Sequence, residues 1–484
     1  MSEQTIVTRL AEFAADARSD GVGSTLRLDA ARRVLDVLGN SLAALDSPPA
    51  TAVRTVIAEW GGRDDATALG LAGGLPAPSA ALLGGTLAHA LDFDDTHLLS
   101  VLHPSAAVVP AALAVAEQRG ASGAALLDAI AVGVEITVRA GLAGYDAALG
   151  NSIFFERGLH ATAICGAVGG AAATAMLSGL DATGIAHAMG IAASMGSGLL
   201  EANRTGGTVK RVHCGWAAHA AVVAAGLARA GLTGPPTVFE GRFGLLRAFC
   251  GEEADLAALV TGLGEHWEVR EVCFKPYPCN HFTHAGIDAA LRLRARGVRP
   301  DDIESLELGA PAAALRTIGF PPELKARPES GYHAVFSGPY TVAAALIGGG
   351  GLGVFHEDFT DAAARDPRRL ALAARVRCAP DPRSDEIFPR QFPAVLTAHL
   401  HDGRTLTERV EANRGGPGNP LSADELALKF RLNTAGILTT ATANTLSAIT
   451  YDLATAPDLE QLLHPLRTLR ARRPDPLAGS DSSD

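Results

Sequence analysis

The chain has 484 residues, 48% of them hydrophobic and 19% charged, with a formal net charge of -11. That length exceeds the usual size of one core, so two domains are expected. The acidic balance excludes a general nucleic-acid binder, which carries a basic face; an anionic small substrate stays open, since a local pocket can be cationic inside an acidic shell. The N-terminal residues carry no basic stretch followed by an apolar one, so no secretory signal is expected. Six cysteines are scattered without C-x-x-C pairs, which points to reduced thiols in the cytoplasm.

In chain order, Leu28, Ala31, Leu35, Leu38, Leu42 and Leu45 recur at helical spacing, and Ser47-Pro48-Pro49 is expected to stop that helix. A second helix is predicted over 52–60, a short strand over 66–71, and a helix capped by Ser79 running to Leu91. Pro104 suits the first turn of the next helix, which places His103 at its positive end. Ser122 caps another helix, through Ala140. Ala/Gly-rich helices occupy 160–178, 183–197 and 209–230, with His160 and Lys210 at the starts of the first and last. The uncharged stretch 161–180 raises a membrane question, but its alanines, glycines and hydroxyl residues suit a buried helix of a close-packed bundle.

From Trp267 the texture changes. Trp267 to Phe274 alternates like a strand, a helix is predicted over 284–295, and strands over 303–308, 374–378, 394–400 and 404–410. Gly348 to Gly353 comes after a helical run, so it reads as a helix end and turn rather than a phosphate loop. Ser422-Ala-Asp-Glu425 is a capping box that reopens helix, ending near Leu466. The expected class is mainly α: a large all-helical domain formed by both chain ends (1–266 and 413–466), an inserted smaller α+β lid domain (267–412), and a disordered tail (467–484).

The chemistry concentrates in His89-Ala-Leu-Asp92-Phe-Asp94-Asp95-Thr96-His97 and His103-Pro104-Ser105, polar groups set between segments that read as core. Charges are rarely buried unless paired or used, because desolvating an unpaired one costs several kcal/mol. A magnesium motif is disfavoured by the spacing of the aspartates, and a metal site from Asp92, Asp95, His97 and His103 lacks a tight ligand pattern. Asp94 and Asp95 have a structural alternative, capping helix ends or pairing with arginines. The remaining reading is acid–base work on a carboxylate substrate.

Together, His89-Ala-Leu-Asp-Phe-Asp-Asp-Thr, His103-Pro-Ser, Gly158-Leu-His160, the Lys210 segment, Phe239-Glu-Gly-Arg-Phe-Gly, Lys275-Pro-Tyr-Pro-Cys and Phe336-Ser-Gly-Pro-Tyr340 resemble the MmgE/PrpD family. It includes 2-methylcitrate dehydratase, cis-aconitate decarboxylase and iminodisuccinate epimerase. The resemblance implies a homodimer through the helical domains, a site between helical domain and lid, no cofactor and no metal. By motif position it implies catalytic roles for Asp92, His103, His160 and Lys210, and substrate contacts from Thr96, Lys275 and Tyr340, with His97 and Asn280 at the two positions where the chain departs from the pattern. His97 stands where the dehydratase and decarboxylase branches usually have Trp. Asn280 stands where decarboxylases have a histidine.

The function implied is that of a cofactor-independent lyase on a small di- or tricarboxylate. Dehydration comes first, because it needs an acid and a base without the missing histidine. Epimerisation and decarboxylation are the alternatives within the family. A metal-dependent enzyme and a catalytically silent dimeric binding protein are the alternatives outside it.

Overall fold

The computed structural model describes residues 4–71, 73–205 and 207–471, so most of the expected tail lies outside the described residues. The chain is mainly helical and divides into two compact units. The first takes the described residues up to Asp94, Ser100–Arg270 and those from Asn433 onward; the second takes Asp95–Leu99 and Glu271–Leu432.

In the first unit the helix Ala161–Leu177 is buried along every turn. It packs against Gly123–Leu142, His213–Arg229, Ser105–Arg119 and Ala182–Met195. A helix apolar on all sides belongs at the centre of a bundle, and among the described residues no helix is long and apolar enough to cross a membrane. Small residues allow the close packing. A Cβ on Gly215 would stand 2.2 Å from the Leu82 carbonyl oxygen, and one on Gly85 2.7 Å from that of Cys214, so Ala77–His89 and His213–Arg229 meet main chain to main chain. None of the six cysteines forms a disulfide.

Several local expectations need correction. Ser47-Pro-Pro does not simply stop a helix: the prolines occupy the first turn of the next one, Pro48–Trp60, where a missing N–H costs nothing. Ser79 is buried inside the first turn of Ala77–His89, which starts after Pro76 and has no side-chain cap. Trp267 to Phe274 is no continuous strand. Glu268–Glu271 is a 3-10 turn and only Val272–Cys273 is extended. The buried Val269 and Val272 are three apart, the 3-10 period. Val269 also finds its backbone partners in side chains, its N–H donating to Glu135 at 2.9 Å and its carbonyl accepting from Arg33 at 2.8 Å.

The second unit is built on a four-stranded mixed sheet. Thr405–Val410 and Ala394–Leu400 form an antiparallel hairpin, Ala394–Leu400 pairs antiparallel with Ile303–Ala310, and that strand pairs parallel with Val376–Pro380. His284–Ala295 and Gly338–Ile347 share its core. A separate two-residue ladder joins Thr96–His97 to Val272–Cys273. This unit runs to Leu432 rather than to 412. The reason is Arg414, whose guanidinium donates to the Tyr277 hydroxyl at 3.2 Å and pairs with Glu425, tying the loop and the Ser422-to-Glu425 capping box to the start of the unit.

Candidate active site

In the first unit four imidazoles converge, each from the end of a different helix. His89 closes Ala77–His89, His103 precedes Pro104 and Ser105–Arg119, His160 caps Ala161–Leu177, and His213 opens His213–Arg229. Ring centroids lie 5.3 Å apart for His89 and His103, 5.4 Å for His89 and His160, and 5.2 Å for His160 and His213. Three of the four stand at helix N-termini, where the dipole opposes an imidazolium and favours an anion. The main chain is anchored as well. The His103 N–H donates to Thr162 Oγ1 at 3.1 Å, and the His160 N–H to the Gly198 carbonyl at 2.9 Å.

A buried carboxylate supports one of these imidazoles, Asp94 on His89. His89 Nδ1 lies 2.7 Å from Asp94 Oδ2, with both side chains buried. Asp92 is half-buried and adopts a left-handed backbone, φ 53°, which aspartate tolerates better than most residues. Val101, on the other side of the acidic loop, has φ 52°, a strained conformation for a β-branched residue and a type that gathers at functional sites.

Burial, reinforced by the neighbouring His89, Lys210, His213 and His103, pushes the His160 pKa well below the usual histidine range. His213 is pushed down to about 4 by burial, His89 and Lys210. Lys210, half-buried in the 3-10 turn Val209–Val212, is therefore an electrostatic neighbour of both rings. At neutral pH both imidazoles are neutral. Since the unfolded chain takes up protons at these histidines near pH 6.5 while the folded chain resists, acid favours unfolding. Thermal stability should fall as pH drops from about 6.5 to about 4. In a His160→Gln/His213→Gln double variant that stretch of the melting-temperature profile should flatten; an unchanged slope would contradict the shifts.

Among the described residues one group of ligand-type side chains could hold a metal ion, His89, Asp94 and Cys214, with ligand atoms within 4.8 Å of one another. Two of those three residues already share the 2.7 Å hydrogen bond between His89 Nδ1 and Asp94 Oδ2.

The remaining sequence-predicted residues lie in the second unit. Thr96 and His97 pair with Cys273 and Val272, which sets them beside the segment leading to Lys275, itself buried. Asn280 is employed locally: its Oδ1 accepts from the Phe282 N–H at 3.1 Å, capping the 3-10 turn His281–Thr283. Tyr340 does not fit its expected substrate contact. Its buried hydroxyl donates to the Asp358 carbonyl at 2.7 Å and accepts from Arg369 at 3.3 Å, an internal brace. The sequence pattern assigned no catalytic role to His89, Asp94 or His213. The signals were present, a histidine five residues before an aspartate and a histidine three residues after Lys210.

Residues 8–257 match the MmgE/PrpD N-terminal domain and residues 277–454 the MmgE/PrpD C-terminal domain. The chain belongs to the MmgE/PrpD family. It is 29% identical over 398 residues to the cis-aconitate decarboxylase of Homo sapiens, covering 80% of this chain and 79% of that one. To the cis-aconitate decarboxylase of Mus musculus it is 29% identical over 408 residues, 81% and 79% of the two chains. To that of Aspergillus terreus it is 28% identical over 402 residues, 80% of each. Membership of the MmgE/PrpD family carries a lyase-type function with it.

Proposed function

We propose that the chain is a cofactor-independent lyase that moves protons on a small di- or tricarboxylate, with dehydration as its reaction. The observation that carries this is the first unit's cluster of four imidazoles, one buttressed by a buried carboxylate, beside a lysine and at three helix N-termini.

Dehydration next to a carboxylate needs a base for the carbon-bound proton, an acid for the departing hydroxyl and positive charge for the enolate-like species between them. His160 suits the base, because burial and its neighbours keep it neutral. A pKa far below 7 makes a weak base, but a bound polycarboxylate supplies the negative charge that raises it toward the working range. His103 is then the acid toward the hydroxyl. Lys210 pairs with a substrate carboxylate, and Asp92 in its strained loop is a positioning group. In the second unit Thr96, His97 and Lys275 are the proposed carboxylate contacts. The reading includes a homodimer through the helical unit, in which the half-exposed Trp60 and Trp216, ranged about His219, would be covered.

Decarboxylation is the second reading, favoured by the names of the relatives. Asn280 argues against it, since its side chain is spent on a local cap and cannot replace an imidazole in proton transfer. One experiment separates the outcomes: purified protein is incubated with a panel of di- and tricarboxylates in D₂O and followed by NMR. Water loss is the expected result. Loss of CO₂ would install the second reading, and exchange at a stereocentre without net loss would mean epimerisation. Silence across the panel would sink the enzymatic reading, and activity abolished by a chelator and restored by an added metal would replace it with a metal-dependent one.

A further inference from the structure

The His160 imidazole is hydrogen-bonded to a second imidazole that the chemistry above leaves unused. The two Nδ1 atoms lie 3.1 Å apart, with the ring planes at 48°. One nitrogen must donate and the other accept, so the neutral pair holds a single proton between them. When His160 donates, its Nε2 is bare and can act as a base. When His213 donates, His160 accepts at Nδ1 and carries its own proton on Nε2, the form of an acid.

The pairing is built into the fold. A Cβ on residue 198 would stand 3.1 Å from His160 Cβ and 3.3 Å from His213 Nδ1, so Gly198 leaves room for both. The same glycine accepts the His160 N–H through its carbonyl. On the other side, the Gly215 contact with Leu82 fixes where His213–Arg229 begins. The titratable groups facing the pair are His89 with its Asp94, His103, and Lys210 from the turn before His213. Apart from Asp94 these are cationic or neutral, and two helix N-termini add to them, so a second proton on the resting pair is disfavoured.

We propose that His213 is a positioning and proton-relay residue that sets which nitrogen of His160 carries its proton. The inference rests on His160 being a proton-transfer group. In turnover the carbon-bound proton of the substrate passes to His160 Nε2, and the Nδ1 proton of His160 passes to His213 Nδ1. The positive charge then sits on His213, the more exposed of the two rings. His213 releases its Nε2 proton to water, which leaves His160 protonated on Nε2 and accepting at Nδ1. The base has become an acid without releasing the abstracted proton.

The test uses full-length protein labelled with ¹⁵N-histidine, the variants His213→Phe, His213→Gln and His160→Gln, and the substrate identified in D₂O. In the wild type one Nδ1–H signal should report an imidazole–imidazole hydrogen bond, and it should vanish in His213→Phe. For that variant kcat should fall on the order of 10²-fold with KM within about twofold of wild type, since a proton-transfer function is lost and ground-state binding is not. His213→Gln should recover part of the loss, because an amide can bond to Nδ1 but cannot carry the charge. Wild-type kcat in His213→Phe, or no such Nδ1–H in the wild type, would overturn the relay. Should His213→Phe fail to fold, His213→Gln and the wild-type spectrum decide alone. Should His160→Gln turn over normally, the underlying acid–base reading fails instead, whereas a dead His160→Gln beside a fully active His213→Phe rejects only the relay.

Discussion

Replacing His160 or His103 with alanine should lower kcat by roughly 10²–10⁴, the range a positioned proton-transfer group contributes, while far-UV circular dichroism stays that of the wild type. The two rings are reached from different helices, and their main-chain anchors, His103 to Thr162 and His160 to Gly198, do not involve the imidazoles. Backbone position should therefore survive truncation of the side chain. A loss confined to KM would point to substrate binding rather than proton transfer. Turnover close to wild type in either variant would remove that residue from the mechanism.

The second large effect is on stability. His89→Ala should cost about 3–5 kcal/mol, the usual penalty for removing one partner of a buried ion pair or charge-assisted bond. The pair is His89 Nδ1 and Asp94 Oδ2 at 2.7 Å, with side chains 1% and 0% exposed. Truncating the imidazole takes a donor from a carboxylate that water cannot reach. Asp94→Asn, which keeps the shape and an oxygen acceptor, should be milder in urea unfolding, yet it should lower activity by loosening the His89 tautomer. If His89→Ala unfolds within about 1 kcal/mol of wild type, the bond does not carry the burden assigned to it.

Much of the fold could be read from pattern, and the exceptions share a cause. The helix His284–Ala295 and the strand Ala394–Leu400 came out at their predicted bounds, because each shows one clean period to one core. Where two signals competed, the wrong one was easy to choose. Proline both ends and begins helices, and Ser47-Pro48-Pro49 begins one. Alternation around Trp267 mimicked a strand because Arg33 and Glu135, over a hundred residues upstream, take the place of a neighbouring strand at Val269. The end of the second unit was misplaced for the same reason, since Arg414 reaches a tyrosine that sequence spacing cannot connect to it.

The candidate site divides along similar lines. His103, His160 and Lys210 were legible as polar groups at the ends of apolar helices. His213 carried no signal of its own beyond its place after Lys210, and Asp94 read as a helix cap or an arginine partner, because what marks them is a partner brought by folding: His160 for one and His89 for the other. Tyr340 failed in the opposite direction. Its motif was plain, but the hydroxyl serves Asp358 and Arg369 instead.

The glycine-to-glycine seam between Ala77–His89 and His213–Arg229 has a consequence for precision. Gly85 lies one turn before His89, and Gly215 lies two residues after His213. The separation of these two rings is therefore gauged by the thickness of peptide groups in direct touch, with no intervening rotamers to flex or be exchanged. Surface residues can drift freely over evolutionary time, and neighbouring core side chains can trade volume, without altering that gauge. A methyl group added at either glycine would change the spacing of the imidazoles before it touched any of them.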